Sequence, residues 1–180
     1  TQAWRQPGSS FKPFIYAASL EKGLTPGTVI SDQPFELTAE QTGSKAWSPK
    51  NYGGQYEPSL TMREAIAKSK NMVSIRILQA IGPQYAQDYV TRFGFDKARH
   101  PAYLPMALGA GAVTLMQLAT GYSVFANGGY RVTPFLIDRV TDANGQVIMQ
   151  SKPVIAGDSA ARAIDARTAY VMDDLLRGVA

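Results

Sequence analysis

Ser9 and Lys12, in the stretch Pro7-Gly8-Ser9-Ser10-Phe11-Lys12-Pro13, set a hydroxyl and an amine three residues apart where a helix is expected to begin. Three residues is just under one helical turn, so the two side chains share a face. A serine hydroxyl keeps its proton at neutral pH and is a poor nucleophile until a base comes within hydrogen-bond reach. A lysine can be that base if burial or nearby positive charge lowers its pKa. Pro7-Gly8 allows a tight turn, which would leave Ser9 in a first turn whose free backbone N–H groups could face an oxyanion. Far downstream, Ser69-Lys70-Asn71 is the one Ser-x-Asn in the chain. Ser69 could pass a proton between Lys12 and an amine, and the Asn71 amide can both donate and accept, so it could hold a peptide bond. Ser-x-x-Lys recurs at Ser19–Lys22. There Gly23 follows at once, and Lys suits a helix C-terminus while Gly suits its cap, so that copy reads as a helix end.

Positioning falls to the elements around these residues. Residues 9–22 read as a helix with Phe11, Phe14, Ile15 and Ala18 on its apolar side. Pro13 is tolerable there because it stands near the first turn. Residues 23–58 are rich in Gly and Pro and read as loop, with short strands at 28–31 and 35–38. Trp47, Tyr52 and Tyr56 cluster beside Lys50-Asn51, either packing that loop or forming a wall of a substrate groove. Thr61 with Glu64 is a capping-box pattern opening a helix to about Lys70. Further helices are expected at 72–81, 83–93 and 114–126, with a Gly-rich loop at 105–111. The last of these helices carries Leu115, Leu118, Ala119, Tyr122 and Phe125 as its apolar residues, and Met106 and Met116 read as core fillers. The period then changes: Tyr130–Val140 alternates, and Asp142-Ala143-Asn144-Gly145 is a hairpin signal, so two antiparallel strands are expected within 130–150. Residues 151–162 read as a linker and 166–177 as a final helix, whose Asp173-Asp174 pair reads as a solvated face.

Composition narrows the function. The chain has 180 residues, 45% hydrophobic and 18% charged, an ordinary globular balance with room for one domain or most of one. The absence of cysteine excludes disulfides and thiolate metal sites. One histidine, His100, read as a loop residue, cannot form a metal cluster, and with no Gly-x-Ser-x-Gly elbow a Ser-His-Asp triad has little support. A net charge of +4 on scattered Lys and Arg gives no nucleic-acid footprint. No apolar run is long enough to span a membrane. Gly109-Ala110-Gly111-Ala112-Val113 is not the Gly-x-Gly-x-x-Gly of a dinucleotide site, and no cofactor is called for.

Ser-x-x-Lys followed by Ser-x-Asn is the motif pair of penicillin-binding proteins and class A β-lactamases. Four longer stretches make the resemblance specific: RQPGSSFKPFIYAASLEKG, WSPKNYGGQYEPSLTMREAIAKSKNMVSIRIL, LPMALGAGAVTLMQLATGYSVFANGGYRVTPFLI and RVTDANGQVI. They resemble, in family order, the transpeptidase domain of a class A penicillin-binding protein, the bifunctional cell-wall synthase of bacteria. The resemblance implies an α/β (α+β) fold of the penicillin-binding-protein and serine β-lactamase type. Residues 1–180 would be one partial transpeptidase domain, with a mostly helical part at 9–129 holding both motifs, a β-hairpin at 130–150 and a helix at 166–178. It implies Ser9 as the acylated nucleophile, Lys12 as its base, and Ser69 and Asn71 as the second motif; with Ser69 read as proton relay, the expected substrate-binding residues are Asn71 and, from the loop aromatics, Trp47 and Tyr52. The implied partners are peptidoglycan stem peptides and β-lactams, in the periplasm, in a parent protein anchored in the inner membrane, with no nucleic acid. The family's third motif, Lys-Thr-Gly or Lys-Ser-Gly, is absent: after Asn71 the only lysines are Lys97 and Lys152. The chain is therefore expected to be an internal fragment, inactive and marginally stable by itself. A serine β-lactamase is the alternative enzyme, opposed by the lack of any Glu after Glu64; a non-catalytic β-lactam sensor is the alternative outside catalysis.

Overall fold

The structure is a computed structural model that describes residues 2–179. A 3-10 turn, Gly8–Phe11, runs straight into helix α1, Lys12–Glu21. Then come strand β1 (Val29–Ser31), helix α2 (Ala39–Thr42), strand β2 (Ser59–Thr61), and helices α3 (Met62–Ala67), α4 (Asn71–Ile81) and α5 (Pro83–Val90). A 3-10 turn at Leu104–Leu108 precedes helix α6, Leu115–Ala126. Strands β3 (Tyr130–Arg131), β4 (Arg139–Thr141), β5 (Val147–Gln150) and β6 (Ala161–Arg162) follow, and helix α7 is Ala166–Arg177. All strand pairs are antiparallel: β1 with β2, β3 with β6, and β4 with β5. The fold is a helical body edged by short antiparallel pairs.

Helix α1 is the centre of that body. Every side chain from Lys12 to Ser19 is buried, so the helix meets solvent only at its C-terminal end, Leu20 and Glu21. It packs against α4, α5 and α7. Phe14 anchors a ring cluster, with Phe93, Phe95, Tyr122 and Phe125 at centroid distances of 4.8 to 5.4 Å, in the range where aromatic pairs attract. Gly121 lets α6 approach this cluster, because a Cβ there would meet the Phe14 and Phe95 rings at 3.0 Å.

Side-chain caps set the helix starts. Thr61 and Glu64 form a reciprocal capping box on α3, and Thr114 and Gln117 do the same on α6. A third box, Thr38 with Gln41, starts α2 inside the stretch expected to be loop. Several expectations are corrected. Residues 35–38 form no strand, only a bridge between Leu37 and Trp47, and β1 pairs with β2 instead. The hairpin is confined to β4 and β5, because Tyr130 and Arg131 pair with Arg162 and Ala161 of the presumed linker. On α6 the buried residues are Gly121, Val124 and Phe125, while Leu115 and Ala119 are exposed. Met106 is fully buried and Met116 only partly.

His100 stands in a loop, as expected, but is buried, its ring stacked 4.8 Å from Phe11. Neither ring nitrogen has a hydrogen-bond partner. Burial lowers its pKa against the opposing charge of Asp96, so the ring is a neutral core aromatic. Asp173 pairs with Arg177 and Asp174 with Arg63.

Candidate active site

The turn that carries Ser9 and the turn Ser69–Asn71 meet around the amine of Lys12. The 3-10 turn that holds Ser9 leads directly into α1, so Lys12 is the first residue of the buried helix. That turn is fixed from the other side by Gly109. Its backbone presses so closely on Gly8 that a Cβ would fall 2.2 Å from the Gly8 carbonyl oxygen, and its φ of +72° is itself a glycine conformation. Tyr122 Oη donates to the Ser10 carbonyl at 2.8 Å, tying the turn to α6.

Lys12 is 2% exposed. Its Nζ donates to the Ser69 carbonyl oxygen at 2.6 Å, to Asn71 Oδ1 at 2.7 Å and to Ser69 Oγ at 3.1 Å. Burial lowers its pKa from 10.5 to about 8. A lysine so placed loses its proton close to neutral pH.

The Ser69–Asn71 turn owes its shape to one unusual residue. Ser69 has φ +52°, the only positive φ outside glycine among the described residues. A side chain in that region costs roughly 1–2 kcal/mol. The bend closes α3 and opens α4, and it presents the Ser69 carbonyl, the Ser69 hydroxyl and the Asn71 amide together to Lys12. Strain of this kind gathers at functional sites held by their surroundings.

Ser9 is exposed and lines, with Lys12, Ser69, Ile66, Tyr122 and Leu176, a pocket of about 300 Å³. Among the described residues Ser9 Oγ makes no hydrogen bond, so the three groups converge on one pocket while only Lys12 and Ser69 touch. Asn71 joins through Lys12, and its Nδ2 donates to the Lys50 carbonyl at 2.7 Å. Trp47 and Tyr52 do not line this pocket. Trp47 is half-buried on Phe35 and borders a separate groove with Tyr103, and Tyr52 is fully exposed. No metal-binding cluster occurs among the described residues.

Sequence reasoning passed over Asp32, Asn51 and Lys70, the residues behind the turn. In the sequence Asn51 stands out only as a neighbour of three aromatics. The signal available was weak: a buried Asp in a loop needs partners, but its partners are revealed only by tertiary structure.

Residues 1–180 match the family model described as the penicillin binding protein transpeptidase domain. A penicillin-binding protein 1A from Neisseria flavescens is 52% identical over 179 residues, which is 99% of this chain and 22% of that protein. One from Pseudomonas aeruginosa is 47% identical over 152 residues, 84% of this chain and 18% of that protein. The chain thus spans about a fifth of the length of the curated relatives it matches. Among solved structures, penicillin-binding protein 1A from Haemophilus influenzae superposes with a TM-score of 0.93 at 33% identity, over 99% of this chain and 30% of that one. A ceftriaxone acyl-enzyme complex of penicillin-binding protein A from M. tuberculosis gives 0.83 at 25% identity, over 98% and 43%.

Proposed function

The chain belongs to the penicillin-binding protein transpeptidase family, and from that premise we propose that Ser9 is the nucleophile of a D,D-transpeptidase that cross-links peptidoglycan. In this reading Lys12, in its neutral form, takes the Ser9 hydroxyl proton as Oγ attacks the penultimate D-Ala carbonyl of a stem peptide. The proton then passes by way of Ser69 to the departing D-Ala amine. An amine of a neighbouring stem peptide enters, gives up its proton along the same route, and takes the acyl group from Ser9.

One observation carries the reading: a buried amine with its pKa lowered to about 8 shares a pocket with an unengaged serine. The proton arrangement agrees with it. Ser69 O accepts only, and Asn71 Oδ1 accepts while its Nδ2 is committed to Lys50, so a neutral lysine can give its two N–H groups to these oxygens. Its lone pair is then left for a hydroxyl proton from Ser9 or Ser69. The mycobacterial relative, an acyl-enzyme with ceftriaxone, supports β-lactams as trapping mimics of the donor.

On the same reading the full-length protein is an envelope synthase, membrane-anchored, working in the periplasm and also polymerising glycan strands. No described helix is long and apolar enough to cross a membrane. The third motif of the family would supply the groove wall opposite Ser69, and its absence from these residues leads us to propose that they acylate weakly by themselves. Penicillin treatment of the full-length protein followed by peptide mass mapping is the test. An adduct on Ser9 alone is expected; an adduct on Ser10, Ser19 or Ser69 would overturn the assignment.

A further inference from the structure

We propose that Asn51 and the buried Asp32 are positioning residues that hold the Ser69–Asn71 turn against Lys12, with Lys70 as the handle by which Asp32 grips it. The proposal rests on the reading of Lys12 as the base for Ser9.

The geometry is that of a clamp behind the turn. Asn51 is 5% exposed and lies twenty residues before Asn71. Its Oδ1 accepts the backbone N–H of Asn71 at 2.9 Å and of Met72 at 3.3 Å. These are free first-turn groups of α4, and the N-cap residue, Lys70, offers them no side-chain acceptor. The preceding residue completes the grip, since the Lys50 carbonyl receives Asn71 Nδ2. Asn71 is thereby fixed at its backbone and at its side-chain nitrogen, which leaves Oδ1 turned to Lys12.

Asn51 is in turn fixed by Asp32, which is fully buried. Asn51 Nδ2 donates to Asp32 Oδ1 at 2.8 Å and to the Gln55 carbonyl at 3.0 Å. Asp32 Oδ2 accepts the Glu57 N–H at 2.9 Å and pairs with Lys70 Nζ at 3.0 Å. Lys70 also meets Glu57 at 3.2 Å, and Lys68 holds the same carboxylate at 3.1 Å. Burial disfavours charge on Asp32 and Lys70, but their mutual attraction and hydrogen bonds outweigh it and keep both ionised. The two lysines on either side of the turn are thus opposites: Lys70 is kept charged as an anchor, and Lys12 is kept ready to lose its proton. Buried polar groups so fully paired rigidify and specify one local arrangement.

The orientation of the Asn51–Asp32 pair gives a test by polarity reversal in the full-length protein. The readouts are the rate of acylation by a fluorescent penicillin and the melting temperature. Asn51→Asp keeps the acceptor for α4 but sets a carboxylate oxygen against Asp32. Acylation should fall about 10²-fold, the cost of a small misplacement at a reacting centre. Adding Asp32→Asn in the same molecule restores a donor–acceptor pair with its direction reversed, and acylation should return to within about tenfold of wild type, short of full rate because the Gln55 bond and the charge of the Asp32–Lys70 pair are lost. A folded double variant that acylates no faster than Asn51→Asp overturns the proposal. If Asn51→Asp alone does not fold, the double variant is compared with Asn51→Ala by the same rule.

A second cycle separates positioning from general support. If the clamp acts by holding the turn against Lys12, then Asn51→Ala should add less than about twofold to the acylation defect of Lys12→Ala. Defects that multiply overturn the proposal. Ser9→Ala is the control: labelling that persists in it refutes the nucleophile assignment, whatever the clamp variants do.

Discussion

Two Ser-x-x-Lys stretches lie within the first 22 residues, Ser9–Lys12 and Ser19–Lys22, and their side chains are disposed in opposite ways. In the first the serine is exposed and the lysine buried. In the second the serine is fully buried, its hydroxyl spent on the Tyr16 carbonyl at 2.8 Å, while the lysine is exposed and sits 4.2 Å above the Tyr85 ring. Spacing alone therefore makes no chemistry. What separates the two is the Ser69–Asn71 turn, which closes over the first lysine and supplies oxygens to an amine that burial has made easy to deprotonate.

The sharpest way to break this contrast is to remove each serine. Ser9→Ala in the full-length protein is expected to abolish covalent penicillin labelling with the fold intact, and Ser19→Ala to leave labelling unchanged. Labelling that survives Ser9→Ala would end the contrast. Removing each amine comes next. Lys12→Ala should slow acylation by about 10²–10⁴-fold, the usual worth of a positioned base, while Lys22→Ala should change it less than about twofold. Equal effects of the two lysines would show that the burial of Lys12 is irrelevant.

Gly109→Ala probes the turn rather than the chemistry. The new Cβ would overlap the Gly8 backbone and must push the Ser9 turn away, so acylation is expected to fall by about 10²-fold, with a lower melting temperature. Full activity would mean that the turn is not held by this contact. The smallest effect sharpens the other half of the contrast. Ser19→Ala should destabilise by about 1 kcal/mol, the value of one buried hydrogen bond, read from denaturant unfolding. No change in stability would leave the second serine without a structural role.

These contrasts also mark what could be read from sequence. Caps were legible because they are local: Thr61 with Glu64, and Thr114 with Gln117, act over three residues. The meeting of Lys12 with Ser69 and Asn71 was legible only because the two motifs together have a known chemistry. The positive φ of Ser69 left no trace, since serine is not a residue whose presence signals that conformation. Asp32 and Asn51 were illegible for another reason, as their hydrogen bonds link loop residues 19 apart and reach α4 from outside it. Pairing of β3 with β6 was hidden because two-residue strands carry no readable alternation, and the exposure of Leu115 because α6 buries a glycine against Phe14 in place of a large side chain.

The titration of Lys12 tests the central claim most directly. Its folded pKa lies below the ordinary 10.5, so below about pH 8 the protein carries a buried ammonium in the folded state. The unfolded chain binds the extra proton between those two values, and stability from this group should rise as pH is raised from 8 to 10.5. The Cε resonance of lysine-labelled protein, assigned by its loss in Lys12→Ala, reports the ionisation itself. A midpoint near pH 8 is the expected result. A midpoint near 10.5 would mean that burial does not ready Lys12 to lose its proton, and that it is not the base for Ser9.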